Sequence, residues 1–259
     1  MIEKGFIRGR AEKGGAEGRD AAGISSPEAV KYRNLRDRIE RIARKYSTVG
    51  LTVAFAAGGK VRWTINCGYA SIGRGISASD ATAYRVASIS KTVTAMAVMT
   101  LWDRGLVELD RDIGDYLGFQ VRNPHHPDKA ITLEHLLTHT SGINDRGAYL
   151  RAVESGVYPP LEEMLTPGNA SCDHSGFCRY RPGSRYRYSN FGYGIMAAIV
   201  ECVAGERFGD YAKKALFEPL HLDAGFLPSE IADTSRIADI YRDRKLSFGR
   251  DNALKGRVR

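Results

Sequence analysis

The sequence predicts an α+β protein in which an antiparallel sheet packs against helices and an all-helical lobe is inserted as a second part. Two observations support this fold class. Apolar residues alternate at period two over residues 51–67, which is typical of strands, and they recur at helical spacing after Ser88. The resulting order is one helix, one hairpin and a long helical block over about residues 88–215. A chain of 259 residues with 43% hydrophobic residues can bury a core of this size.

The N-terminal segment is predicted to be a disordered tail. Residues 1–23 contain six glycines among mixed charges, so they cannot bury enough apolar surface to order themselves. The folded domain is therefore expected over residues 24–259. No apolar run follows the basic start of the chain, which indicates no signal peptide and predicts a cytoplasmic location. No stretch approaches the roughly 20 apolar residues of a transmembrane helix, so no membrane partner is expected.

Local signals mark the elements in order. The first helix is expected to begin after Ser25 and Ser26 with Pro27 in its first turn. Its expected buried stripe consists of Tyr32, Leu35, Ile39, Ile42, Ala43 and Tyr46. Strands at 51–56 and 61–67 flank a Gly-Gly turn and predict a hairpin. The remaining predictions are a mostly buried helix from Ser88 to Gly105, a short helix capped by Thr132, helices at 191–203 and 208–216, and a strand within 236–248.

The net charge of +8 raises the question of a nucleic-acid partner. Lys and Arg concentrate in residues 31–45 and again in residues 242–259. The first cluster lies on the predicted first helix, whose other face is apolar. No aromatic residues alternate with either cluster as they do on base-stacking surfaces. The pattern favours solvated basic surfaces, and no nucleic-acid partner is expected.

The four cysteines are too few for a disulfide scaffold. Cys67 ends a strand-like run and Cys202 lies in an apolar helical run, so both are expected to be buried. Cys172, His174 and Cys178 have the chemistry of a partial zinc site, but no fourth ligand is evident. A local disulfide and two free thiols remain as alternatives for Cys172 and Cys178. Neither a metal nor another cofactor is expected.

Ser88 and Lys91 are the first candidates for catalytic residues, as a nucleophile and its base. Their spacing of three places both side chains on one face of a helix, within hydrogen-bond reach of each other. A serine hydroxyl is a poor nucleophile until a neighbour removes its proton, and a lysine in surroundings that disfavour its charged form can do so. The alternative is structural, since a capping serine followed by a solvated lysine has the same spacing.

Tyr188 and Asn190 form the second candidate group. A tyrosine near the Ser-Lys pair can relay a proton to a leaving group, and an asparagine can hold a substrate carbonyl or amide. The structural alternative makes Asn190 the N-cap of the helix at 191–203. Both interpretations are compatible, because a capping turn also presents its neighbours rigidly.

Four segments in this order resemble one known superfamily. They are YRVASISK at 84–91, HLLTHTSG at 135–142, RPG at 181–183 and YSNFGY at 188–193. Together they resemble the serine β-lactamase-related and penicillin-binding-protein-like superfamily. Within it they are similar to the class C β-lactamase, esterase and D-amino-peptidase branch, which has Tyr-x-Asn where class A enzymes have Ser-Asp-Asn.

The resemblance implies a β-lactamase/transpeptidase-like fold and an acyl-enzyme mechanism. It makes Ser88 the catalytic nucleophile, gives the proton transfers to Lys91 and Tyr188, and makes Asn190 a substrate-binding residue. The backbone N–H of Ser88 then supplies half of an oxyanion hole. His139, in the segment at 135–142, is expected to belong to a structural turn rather than to a second triad.

The resemblance is incomplete at the C-terminal end. The family's third motif, K-T-G or H-x-G, does not follow Tyr188, and His174-Ser-Gly176 matches only by letters because it precedes it. The remaining sheet strands of the family are therefore expected to be missing after Arg259. The predicted function is a serine hydrolase acting on an ester, amide or β-lactam of a small molecule or peptide. The alternatives are a non-catalytic penicillin-binding or sensing module and an inactive truncated fragment.

Overall fold

The computed structural model of the chain describes residues 6–7, 27–169, 171–243 and 246–248. The helices in these ranges are α1 (Pro27–Lys45), α2 (Ser90–Asp103), α3 (Gly114–Leu117), α4 (Leu133–Leu137), α5 (Ala148–Ser155), α6 (Leu161–Leu165), α7 (Asn190–Ala204) and α8 (Phe208–Ala212). The strands are β1 (Phe6–Ile7), β2 (Gly50–Ala57), β3 (Lys60–Ser71), β4 (Ile76–Ser77), β5 (Tyr84–Arg85), β6 (Ile240–Asp243) and β7 (Leu246–Phe248). The α+β class predicted from the sequence is confirmed.

Strands β2, β3 and β4 form an antiparallel sheet in that order. Strand β2 pairs with β3 as far as Ala57 opposite Lys60. The connecting residues Gly58 and Gly59 have φ angles of 60° and 70°, a region that glycine adopts without steric cost. The hairpin predicted over residues 51–67 is confirmed.

Helix α1 packs on this hairpin through Tyr32. The Tyr32 hydroxyl donates a hydrogen bond of 2.8 Å to the carbonyl of Thr64, and its ring meets Trp63 edge-on at 6.2 Å between centroids. The predicted buried stripe is only partly correct, because Ile42 and Tyr46 are exposed. Tyr46 follows the last residue of α1, where the chain already turns toward β2.

The main apolar core lies among the helices, where α2 packs against α7. The side chains of Leu101, Ile195, Met196, Ile199 and Val200 are at most 1% exposed. Both helices end at a glycine in the left-handed region, as predicted, with φ of 68° at Gly105 and 69° at Gly205. Residues 208–216 also form the predicted helix, although it continues from α8 into a π-helical turn over Lys213–Phe217.

The short helix α4 begins as the sequence predicts. The Thr132 side chain accepts a hydrogen bond from the His135 N–H, and His135 Nδ1 accepts one from the Thr132 N–H. Each group therefore satisfies a backbone donor that a helix start would leave unpaired. Burial lowers the pKa of the His135 imidazole, which keeps Nδ1 available as an acceptor.

The chain returns to the sheet after α8, where Ile237 forms a parallel bridge with Ala83. Strands β6 and β7 then pair as a second hairpin, with Tyr241 opposite Ser247. The single strand predicted within residues 236–248 is therefore wrong. The sequence between β6 and β7 contains no Gly, Asn or Pro, so nothing in it marks a turn.

The described part of the N-terminal segment is short. Phe6–Ile7 pairs with β5, and the other residues of the predicted tail at 1–23 lie outside the described residues, as do Ser25 and Ser26. Among the helices of the described ranges, none is long and apolar enough to cross a membrane.

Cys67, Cys172, Cys178 and Cys202 are all free thiols in the structure. Cys67 is partly buried and Cys202 is exposed, so the prediction that both are buried is wrong. Cys202 lies near the C-terminal end of α7, on the side of the helix that faces solvent. Burial raises the pKa of the Cys172 thiol.

Candidate active site

Ser88 lies in a single 3-10 turn, Ala87–Ile89, immediately before α2. The turn places its side chain at the surface. Ala87, the residue before it, has a φ of 45°, a region that non-glycine residues rarely adopt. Because the chain turns tightly before α2, the Ser88 side chain is exposed while residues in the first turns of α2 are buried.

Lys91 lies in the first turn of α2 and is only 8% exposed. Its Nζ is 3.3 Å from Ser88 Oγ and donates a hydrogen bond of 2.6 Å to Asn190 Oδ1. The same atom lies 4.8 Å from the centroid of the Tyr188 ring. The alternative of a solvated lysine is therefore excluded by its burial.

Tyr188 approaches Ser88 from the segment that leads into α7. Its hydroxyl is 2.8 Å from Ser88 Oγ, and either atom can be the donor. The sequence predicts a convergence of Ser88, Lys91 and Tyr188, and the structure brings these side chains together. The residues are 100 positions apart in the chain, so packing of α2 against α7 creates the contact.

Asn190 is the first residue of α7, and it faces Lys91. The N-cap is Ser189 rather than Asn190, because Ser189 Oγ accepts a hydrogen bond of 2.9 Å from the Gly192 N–H. The capping role proposed for Asn190 is thus wrong by one residue. Its side chain is free of that role and points toward the Ser-Lys pair.

Asp145 is a residue of this site that the sequence did not identify. Its Oδ1 accepts hydrogen bonds from Ser189 Oγ at 3.0 Å and from the Phe191 N–H at 2.9 Å. Its Oδ2 accepts one of 2.9 Å from Asn190 Nδ2. The only signal in the sequence that could have pointed to Asp145 is its closeness to the segment at 135–142. It follows Gly142, the last residue of that segment, by three positions.

His139 joins the turn at 135–142 to the segment that carries Tyr188. Its ring lies 4.6 Å from the Tyr188 ring and 4.9 Å from the Tyr193 ring, between centroids. Its Nδ1 accepts a hydrogen bond of 3.2 Å from the Ser189 N–H. Burial lowers the pKa of His139, the charge of Lys91 lowers it further, and Asp145 opposes both effects. The turn is structural, as predicted, and it supports the site directly.

No group of three or more His, Cys, Asp or Glu side chains within the described ranges is arranged to hold a metal ion. Cys172 and Cys178 remain free thiols, with Cys178 Sγ 3.6 Å from Asn144 Nδ2. The residues His174–Gly176 form a 3-10 turn capped by Asp173. The His174 ring lies against His125, at 6.0 Å between centroids.

The sequence is similar to a serine β-lactamase-like protein and to a penicillin-binding protein. It is 25% identical over 244 residues to the human mitochondrial serine β-lactamase-like protein LACTB, with 69% of this chain and 44% of that protein covered. It is 26% identical over 189 residues to penicillin-binding protein 4* of Bacillus subtilis, with 73% of this chain and 40% of that protein covered. The chain thus spans less than half the length of these relatives.

Solved structures share the architecture. The octameric penicillin-binding protein homologue from Pyrococcus abyssi aligns with a TM-score of 0.60 and 27% identity, over 73% of this chain and 43% of that one. A class C β-lactamase aligns with a TM-score of 0.65 and 19% identity, over 91% of this chain and 61% of that one. The β-lactamase/transpeptidase-like fold predicted from the sequence is confirmed. Because the β-lactamase family model matches residues 35–257, the chain belongs to the β-lactamase family.

Proposed function

We propose that the chain is a serine hydrolase that forms an acyl-enzyme on Ser88, acting on an ester, amide or β-lactam carbonyl of a small molecule or peptide. The observation that carries this proposal is the contact of Ser88 Oγ with both Lys91 Nζ, at 3.3 Å, and the Tyr188 hydroxyl, at 2.8 Å. Two groups able to move a proton therefore lie within hydrogen-bond reach of the nucleophile. Membership of the β-lactamase family supports the same kind of chemistry.

In the proposed acylation step, Ser88 Oγ attacks the carbonyl carbon while its proton passes to a neutral Lys91 Nζ. The new C–O bond forms as the carbonyl π electrons move to oxygen. The Tyr188 hydroxyl then gives a proton to the leaving group as the old C–O or C–N bond breaks, and it recovers a proton from Lys91. Attack of water on the acyl-Ser88 ester, with the same two residues moving protons, completes hydrolysis.

Substrate positioning is proposed for the groups around this centre. The backbone N–H of Ser88, in the 3-10 turn before α2, is the proposed oxyanion donor. Asn190 Nδ2 has two hydrogens, of which Asp145 takes one, so the other is available to a substrate carbonyl. These roles need no metal or organic cofactor.

The proposal predicts that Lys91→Arg slows covalent labelling of Ser88 by a fluorophosphonate by about a hundredfold or more. Arginine keeps the positive charge but does not deprotonate at any working pH, so it cannot accept the Ser88 proton. Intact-mass spectrometry over time measures the labelling rate, and Ser88→Ala is expected to remove labelling altogether. Lys60→Arg, at an exposed position of β3, is the matched control and is expected to label at the wild-type rate.

Two results would contradict the proposal. If the wild-type chain is not labelled at Ser88, the hydrolase assignment is wrong. If Lys91→Arg and Lys60→Arg are labelled equally fast, Lys91 is not the base. Turnover of p-nitrophenyl acetate or nitrocefin separates a hydrolase from a penicillin-binding module, because a module is labelled once and does not turn over.

A further inference from the structure

Asp145 contacts three donors at the beginning of α7, and one of them belongs to the proposed site. We propose that Asp145 is a positioning residue, which fixes the amide of Asn190 so that its oxygen faces Lys91. This inference rests on the proposed hydrolase function and adds a residue to it.

An asparagine side chain has a donor end and an acceptor end of nearly equal shape, so packing alone does not decide which end faces which neighbour. An ionised carboxylate only accepts hydrogen bonds. Asp145 Oδ2, at 2.9 Å, therefore requires the NH2 end of Asn190 to face it. The oxygen end must then face the opposite neighbour, which is Lys91 Nζ at 2.6 Å.

Without the carboxylate, only the hydrogen bond that Lys91 Nζ donates to Asn190 Oδ1 still favours this orientation of the amide. In the flipped orientation, the NH2 group of Asn190 faces Lys91 Nζ, so two donors meet across a partly buried contact. Lys91 would lose the acceptor that holds its amino group beside Ser88 Oγ. Asp145 therefore acts on the nucleophile through two intermediate side chains.

The other contacts of Asp145 hold the carboxylate itself in place. Its Oδ1 accepts from Ser189 Oγ and from the Phe191 N–H, so both oxygens are engaged. The site lies at the N-terminus of α7, a helix of 15 residues, where a negative charge is favourable. This arrangement also makes Asp145 part of the helix start, so its test must separate a role in positioning from a role in folding.

The test compares the full chain with Asp145→Asn in the hydrolysis of p-nitrophenyl acetate. Asp145→Asn removes the charge from all three hydrogen bonds of Asp145, and loss of the charge-assisted bond to Asn190 predicts that kcat falls about tenfold or more, while KM changes less than about twofold. Ser189→Ala is the matched control, because it removes a contact of the same carboxylate and the cap of α7 but leaves the Asn190 contact. Its kcat is expected to fall less than about threefold although its stability also decreases.

A double-mutant cycle with Asn190→Ala identifies the route of the effect. If Asp145 acts through Asn190, then Asp145→Asn lowers kcat no further in a chain that already carries Asn190→Ala. Equal losses in both backgrounds would overturn the inference, and so would an unchanged kcat in Asp145→Asn. Should that variant not fold, Asp145→Ser is the second variant. Its hydroxyl can both donate and accept, so it does not dictate the amide orientation, and kcat is expected to fall by a similar factor.

Failure of the proposed function gives a different result. If the wild-type chain is neither labelled at Ser88 nor active on p-nitrophenyl acetate, the hydrolase assignment fails and Asp145 keeps only its structural contacts. If the wild-type chain is labelled and active while Asp145→Asn matches it in kcat, only the positioning role is wrong.

Discussion

His139 holds the segment around Tyr188 by three different contacts. Its ring lies tilted against the Tyr188 ring, its Nδ1 accepts from the Ser189 N–H, and its backbone carbonyl accepts from the Arg187 N–H at 2.7 Å. The hydrogen bond to Nδ1 requires an unprotonated nitrogen, so it exists only with the neutral imidazole. Protonation of His139 thus removes a contact that supports Tyr188.

This arrangement predicts a loss of stability at mildly acidic pH. The folded-state pKa of His139 lies below its ordinary value of 6.5, so the unfolded chain binds the proton more readily. Its contribution to the free energy of unfolding is present above pH 6.5 and is lost as pH falls through the lowered folded-state pKa. Urea unfolding at a series of pH values between 7.5 and 5 measures this slope.

His139→Asn is the informative variant for that slope. Asparagine does not titrate, tolerates the φ of 57° found at this position and offers an oxygen near the place of Nδ1. The variant is expected to lose stability less steeply on acidification than the wild-type chain. His135, whose pKa is also lowered by burial, still titrates in it, so the slope should decrease without vanishing. An unchanged slope would show that His139 does not titrate in this way.

The spacing of three between Ser88 and Lys91, together with the Tyr-x-Asn segment, identifies four candidate side chains, and their predicted roles come from the resemblance of the four ordered segments to a known superfamily. Asp145 was not predictable in the same way. Its contacts depend on the path of the loop after Gly142, and an aspartate in a loop is most often simply solvated. His139 was assigned correctly to a turn, but its contact with Tyr188 comes from tertiary packing.

Gly183 explains why the segment Arg181-Pro-Gly183 has a glycine at its end. Its φ is 84°, and a Cβ atom added there would lie 2.9 Å from His135 Nε2. The glycine thus serves two requirements, a backbone conformation and a close approach of α4 to the segment that leads to Tyr188. Gly105 shares the backbone conformation, with a φ of 68°, but has nothing within 4 Å of the same position.

Comparing alanine substitutions at Gly105 and Gly183 separates the cost of backbone strain from the cost of a steric clash. Gly105→Ala is expected to lower the free energy of unfolding by about 1 kcal/mol, because only the backbone strain is added. Gly183→Ala is expected to cost clearly more than Gly105→Ala, because the His135 ring must also move. Urea unfolding followed by circular dichroism measures both values. Equal losses would mean that the ring yields without cost and that the close approach is unimportant.

The helices and the first hairpin were predictable because each carries a local signal. Gly58-Gly59 marks a turn, and Gly105, Thr132 and Gly205 mark helix ends. The pairing of β6 with β7 was not predictable, because their connection contains none of the residues that mark a turn.

The apolar core is distributed unevenly over the molecule. The large cluster of buried residues extends from Val93 to Phe226 and belongs to the helices and their loops. The sheet side of the described residues contributes a second, small cluster of Ala83, Ile231 and Ile237. Large apolar residues of the hairpin, among them Phe55, Val61 and Tyr69, are about half exposed. The hairpin therefore gains less from burial than the helices do.

The two tryptophans make this difference measurable. Trp63 lies in the hairpin, stacked on Phe55 at 5.4 Å between ring centroids, and Trp102 lies near the end of α2. We expect the fluorescence of Trp63 to change at a lower urea concentration than that of Trp102. The measurement uses Trp63→Phe and Trp102→Phe, each with one remaining tryptophan, and circular dichroism checks that neither substitution shifts the helical transition. Coincident transitions would instead show that hairpin and helices unfold as one cooperative unit.

Because Ser88 and Tyr188 are 100 positions apart, the ribosome synthesises the serine well before the tyrosine that contacts it. Ser88 leaves the ribosome long before Tyr188, Ser189 and Asn190 have been translated. A nascent chain at that stage carries the serine and the lysine but not the tyrosine or the amide that surround them in the finished fold. In the proposed mechanism, Ser88 therefore becomes reactive only when α7 docks on α2, after Tyr188 and Asn190 have been synthesised.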